Sequence, residues 1–160
     1  MTIKVGDKLP AIDVQYKTEE GVQTINTSEL FAGKKVALFA LPGAFTPTCS
    51  AAHLPGYVIN SDKLFEKGIN RIVCLSVNDA HVMDAWGQQQ NVDDRVMMIA
   101  DGSAHFTRAV GLEDDRDATG MGIRSQRYSM VVNDGVVEQL NIEAPKEFKV
   151  SDAETMLNSL

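Results

Sequence analysis

Three stretches of the chain are apolar almost without interruption: Lys34 to Leu41, Ile72 to Val77, and Val96 to Ala100. A strand wet on one side alternates apolar with polar, so an unbroken run predicts a strand covered on both faces. Between these runs, apolar residues recur at the spacing of amphipathic helices. One helix is expected from Thr46-Pro47 through Val58, Leu64 and Phe65, bending near Pro55 and Gly56 and stopping at Gly68. A second carries Val82, Met83 and Trp86, with Asn78 or Asp79 as its cap. A short third, after the Asp101-Gly102 turn, passes His105 and Phe106 and closes at Gly111. Ala11 to Gln15 and Val22 to Ile25 read as short strands about the Glu19-Glu20-Gly21 turn. Tyr128 to Val132 and Val136 to Ile142 flank Asn133-Asp134-Gly135, a strong hairpin signal. Ser151 is the expected cap of a closing helix with Ala153, Met156, Leu157 and Leu160 on one face, and Asp114-Asp115-Arg116-Asp117 reads as a solvated loop. The sum is an α/β sandwich, a mixed central sheet flanked by helices, in one domain over residues 1–160.

Composition narrows the functions open to it. A chain of 160 residues can bury one sizeable core, and a net charge of −7 argues against a nucleic-acid or anionic-membrane surface. No apolar run approaches the roughly 20 residues a bilayer demands, and Met1 to Asp7 lacks a signal-peptide core. Two cysteines make no disulfide scaffold, so free thiols in a reducing compartment, the cytoplasm, are expected.

One of those cysteines stands where chemistry is expected. Cys49 follows a central strand and begins a helix, the edge at which α/β sheets carry their sites. With Thr46 as N-cap and Pro47 as first helical residue, Cys49 is third, facing unpaired N–H groups and the positive end of the helix dipole. That environment favours thiolate over thiol. A free cysteine is often only a small buried hydrophobe, but Thr46, Pro47, Thr48 and Ser50 are not core neighbours. Position 52 is Ala52, so no local disulfide can close, and the chemistry must begin with one thiolate and an outside electrophile.

Pro42, Thr46 and Cys49 form the pattern P-x-x-x-T-x-x-C, and here the chain resembles the peroxiredoxins, in particular their type II or five-class branch. The resemblance continues through Val5-Gly6-Asp7 with Leu9-Pro10, Cys74 to Asp79, Ala85-Trp86-Gly87 and Arg127 to Val132. It implies a thioredoxin-like fold, a hydroperoxide substrate, and no metal or organic cofactor. By position, Cys49 corresponds to the peroxidatic cysteine and Thr46 to the hydroxyl that bonds thiolate and peroxide. Pro42 corresponds to the shield of the sulfur, and Arg127 to the donor that stabilises thiolate and departing oxygen. Backbone N–H groups of Thr48 and Cys49 are expected to join that donor set. Arg124 is the near competitor of Arg127; in a regular strand the two would face opposite sides.

Other residues have plainer readings. Cys74 lies within an apolar strand and reads as an inert core thiol. Many relatives carry a resolving cysteine where this chain has Val150 and Ser151, so a one-cysteine cycle is expected, recycled by glutathione, glutaredoxin, thioredoxin or another external thiol. His53, four residues after Cys49, either tunes the sulfur or is simply a packed or interface residue. His81 and His105 have no partners at metal-ligand spacing, so no metal is assigned. Phe45 and Trp86 are candidates for the site rim or for an interface, since the resemblance implies a homodimer through this loop. Two further readings of a reactive lone cysteine remain open: a monothiol–disulfide exchanger and a non-enzymatic redox sensor.

Overall fold

The computed structural model describes residues 1–160. Nine strands form: β1 (Asp13–Thr18), β2 (Gly21–Asn26), β3 (Lys35–Ala40), β4 (Arg71–Ser76), β5 (Met97–Ala100), β6 (Glu113–Arg116), β7 (Gly122–Ser125), β8 (Tyr128–Asn133) and β9 (Val136–Ile142). The helices are α1 (Thr27–Leu30), α2 (Leu54–Ile59), α3 (Ser61–Glu66), α4 (Ala80–Gln89), α5 (His105–Ala109) and α6 (Ala153–Ser159). Seven strands make one mixed sheet in the order β2-β1-β5-β4-β3-β8-β9, in which β3, β4 and β5 are parallel.

The unbroken apolar runs are the three parallel strands, and their side chains sort by pleat onto two cores. Ala37, Phe39 and Cys74 face the core built with Leu54, Tyr57, Leu64, Met83, Trp86 and Met156 of the helices. Val36, Leu38, Ala40, Val73 and Leu75 face the other, with Leu30, Phe31, Phe106 and Val110. Each large side chain so buried stabilises the fold by about 1.5–3 kcal/mol. The tail hairpin forms with its turn at Asn133-Asp134-Gly135, where Asp134 and Gly135 both take positive φ.

Three expectations need correcting. The Asp114–Asp117 segment is not a solvated loop: Glu113–Arg116 pairs antiparallel with Gly122–Ser125 as a separate two-stranded sheet, and Asp117 starts a short 3₁₀ turn. Its acidic side chains suit a ribbon outside both cores, which has no apolar pattern to betray it. The closing helix is capped by Asp152, whose carboxylate accepts from Thr155 N and Thr155 Oγ1, rather than by Ser151. The helix after Cys49 is not continuous: a π-helical turn over Cys49–His53 leads into α2, and a break at Asn60 separates α2 from α3.

Candidate active site around Cys49

Topology brings the distant parts together. In the register of β3 with β8, Ala40 stands opposite Tyr128. Arg127, one residue before Tyr128, therefore emerges beside the end of β3, from which the chain turns toward Cys49. That turn is pinned by side chains. Asn78 Oδ1 accepts from Ala44 N at 2.9 Å and also from Ser76 Oγ. Of the two cap candidates, Asp79 takes the cap of α4, accepting from Val82 N at 2.9 Å, which leaves Asn78 for the loop.

Helical backbone starts at Pro47, and Ser50 N donates to Thr46 O at 3.0 Å. Thr46 thus holds the N-cap position, but its side chain does not cap. Its hydroxyl donates to Gly43 O at 2.7 Å, which commits the proton and leaves oxygen lone pairs free. Pro42 is buried beneath this turn, and Cys49 is buried with it. Arg127 Nη2 donates to Cys49 Sγ at 3.1 Å, and Arg127 Nη1 donates to His53 Nδ1 at 2.8 Å. The guanidinium is a fork with one tine on the sulfur and one on the imidazole.

His53 is therefore both packed and part of the site. Its Nε2 donates to Ser151 O at 3.1 Å, and Tyr57 Oη donates to the same carbonyl at 2.8 Å. Burial first, and the Arg127 charge second, hold its pKa down to about 3, so the ring is neutral. Phe148 closes over the pair, its ring centroid 4.9 Å from that of His53 and 5.6 Å from the Arg127 guanidinium carbon. Arg124 goes elsewhere: Nε donates to Met121 O at 2.9 Å and Nη1 to Pro42 O at 3.4 Å. Gly43 makes room for it, since a Cβ there would lie 2.8 Å from that Nη1.

A pocket of about 500 Å³ opens over the site, walled by Pro42, Thr46, Thr48, Arg116, Arg127 and Phe148 among others. Trp86 is not at its rim; the ring is buried, with Nε1 donating to Ser50 Oγ at 3.1 Å. Phe45, held at positive φ, is the exposed one of that pair, 50% accessible. Cys74 is free and buried, and burial, followed by the nearby Cys49, pushes its thiol well above the ordinary range. No group of three His, Cys, Asp or Glu side chains gathers as a metal site, and no helix is long and apolar enough to cross a membrane. Sequence reasoning missed Phe148 and the Ser151 carbonyl as parts of this arrangement and took Asn78 only as a candidate helix cap.

The mixed sheet, with a helix-borne cysteine past its central strand, defines a redox protein of thioredoxin-like fold. The chain matches the Redoxin family model over residues 4–157. It is 48% identical to a chloroplastic peroxiredoxin-2E of Arabidopsis thaliana over 99% of this chain and 70% of that protein. It is 43% identical to the hybrid peroxiredoxin hyPrx5 of Haemophilus influenzae over 100% of this chain and 67% of that one. Among solved structures, reduced Prx3 of Vibrio vulnificus in complex with hydrogen peroxide superposes with a TM-score of 0.95, at 54% identity and 99% coverage of both chains. The chain belongs to the peroxiredoxins, the redoxin-family enzymes that reduce peroxides with a thiol.

Proposed function

We propose that Cys49 is the peroxidatic nucleophile of a one-cysteine peroxidase for hydrogen peroxide and small organic hydroperoxides, recycled by glutathione with glutaredoxin or by a similar external thiol. The observation that carries this reading is the 3.1 Å donation from Arg127 Nη2 to the buried Cys49 Sγ, just behind a pocket that Arg127, Thr46 and Pro42 line. Sulfur attacks the terminal peroxide oxygen, the O–O bond breaks, and negative charge builds on the oxygen that leaves. The Arg127 fork, with the N–H groups of Thr48 and Cys49, is the preorganised donor set for that charge. Thr46 Oγ1, its proton already on Gly43 O, accepts the peroxide's own O–H. Pro42 keeps water from the sulfur. The departing oxygen takes a proton and leaves as water or an alcohol, and Cys49 becomes a sulfenic acid.

One external thiol then condenses with that acid, releasing water, and a second thiol frees Cys49 as a disulfide departs. The buried, proton-holding Cys74 is a poor internal resolving group, which supports the external route. Two free thiols also suit a reducing cytoplasm. Half-exposed Phe45 beside the site is the surface through which two copies would pair.

Stopped-flow mixing with peroxide is expected to oxidise wild type rapidly and to leave Cys49→Ser unreactive; equal rates would overturn the assignment of Cys49. Turnover with glutathione and glutaredoxin, set against thioredoxin, reads the donor. Mass spectrometry after one equivalent of peroxide is expected to find no Cys49–Cys74 disulfide, and a quantitative one would replace the one-cysteine cycle.

A further inference from the structure

Glu143, just past the end of β9, is only 7% exposed, and its carboxylate is consumed by the chain that follows. Oε2 accepts from Lys149 N at 2.8 Å, Val150 N at 2.9 Å, Ser151 N at 2.8 Å and Ser151 Oγ at 2.7 Å. Oε1 accepts from Lys149 N at 2.9 Å. No lysine or arginine pairs with it, so N–H and O–H groups meet its charge. Burial alone would raise its pKa, but these bonds outweigh burial and hold it below the usual carboxylate range. Its own backbone N donates to Arg127 O at 2.9 Å. One residue therefore closes the loop of residues 144–150 against the strand end that bears Arg127.

The closure fixes one atom that matters. The Ser151 carbonyl accepts from His53 Nε2 and from Tyr57 Oη. A guanidinium can only donate and a carbonyl can only accept. His53 must therefore carry its proton on Nε2 and offer a lone pair at Nδ1 to Arg127. Were the Ser151 carbonyl to move, the imidazole could flip or exchange tautomers, and Nδ1 would no longer anchor the fork. The tine aimed at Cys49 would then lose its bearing.

We propose that Glu143 is a positioning residue for the peroxide step: by holding residues 149–151 it sets the Ser151 carbonyl, fixes the His53 tautomer and so aims Arg127 at Cys49. This rests on the reading of Cys49 and Arg127 given above. Glu143 itself touches neither sulfur nor substrate; it acts through three intermediates. A structural tie for the loop alone would stabilise the fold without changing how the sulfur reacts.

The test compares Glu143→Ala, Glu143→Asp and Glu143→Gln with wild type in stopped-flow oxidation by hydrogen peroxide, below the unfolding range of each. Glu143→Ala is expected to lose tenfold or more in the second-order rate constant, and Glu143→Asp, too short to reach the 149–151 amides, to behave alike. The shorter acid stands in should the alanine variant not fold. Glu143→Gln, which can keep an oxygen at the Oε2 position, is expected to recover most of the rate. Nitrogen-15 shifts of the His53 ring are expected to show the Nε2–H tautomer in wild type and a mixture in Glu143→Ala. Combining Glu143→Ala with His53→Ala is expected to be no slower than His53→Ala alone. Wild-type rates with an unmoved His53 signal in both short variants, or fully multiplicative losses with His53→Ala, would overturn the proposal. A wild type inert toward peroxide would instead overturn the reading of Cys49, a separable outcome.

Discussion

Arg124 and Arg127 lie three positions apart, yet strand alternation is not what separates them. Gln126 and Arg127 fall between β7 and β8, and the two arginines leave different elements. Arg124 is spent on backbone carbonyls of Met121 and Pro42, whereas Arg127 meets Sγ. The kinetic consequence is sharp. Removing one preorganised donor to a developing oxyanion costs on the order of 10²–10³ in rate. Arg127→Gln is therefore expected to slow peroxide oxidation by that factor. Arg124→Gln, which loses bonds to the Met121 and Pro42 carbonyls but none to the sulfur, is expected to stay within roughly tenfold of wild type by the same reckoning. Stopped-flow rate constants for the two variants decide it, and a reversed order would hand the donor role to Arg124. Cys49 was legible locally, because a threonine, a proline and a cysteine in sequence write a helix start. Arg127, 78 positions later, was legible only through resemblance. Glu143 and the Ser151 carbonyl were not legible at all, since their meaning lies in a loop closure that no spacing records.

The π-helical turn at Cys49–His53 has a local cause and a tertiary support. Leu54 N donates to Cys49 O, five residues back, so the Ser50 carbonyl has no α-helical donor left. The next candidate is Pro55, which has no N–H. Gln90 Nε2 fills the gap at 3.3 Å, and Trp86 Nε1 holds the Ser50 hydroxyl at 3.1 Å. The far end of α4 thus fastens the turn that carries the buried sulfur. Trp86→Phe removes that indole donor from the half-buried Ser50 hydroxyl, at the net cost of one hydrogen bond, about 0.5–1.5 kcal/mol. Amides of residues 50–54 are expected to exchange roughly tenfold faster in that variant while those of β4 change less. Unchanged protection at the turn would mean that α4 does not fasten it. Pro55 was visible in the chain as a helix disturbance, but a bend and a wider turn have the same sequence cause. The choice between them depends on Gln90 and Trp86, forty and thirty-six positions from Ser50. The β6–β7 ribbon escaped notice for a related reason: outside both cores, it has no hydrophobic period to announce it.

Across the molecule, the two cores were legible because a strand covered on both faces cannot be polar on either. What could not be read was how acid would act on them. His53 sits within the helix-side core, wedged between the rings of Phe39 and Phe148 at 5.0 and 4.9 Å. Its folded pKa of about 3 lies far below the 6.5 of an unfolded chain. Between those values the unfolded chain binds a proton that the native state refuses, so stability rises with pH there and falls on acidification. The contribution is complete above pH 6.5 and fades as pH drops toward 3, with a limiting slope of about 1.4 kcal/mol per pH unit. Glu143 loses its own stabilising share only below the ordinary carboxylate value of 4.5. The interval from pH 6.5 down to 5 therefore reports chiefly on His53. Urea unfolding at pH 7, 6 and 5 is expected to show a steadily falling midpoint for wild type. His53→Gln, which offers Arg127 an acceptor that never titrates in this range, is expected to start lower and to fall less steeply. If both proteins lost stability at the same slope, the charged imidazole would have to be tolerated beside Arg127. The neutral ring on which the aim of that guanidinium depends would then be untenable.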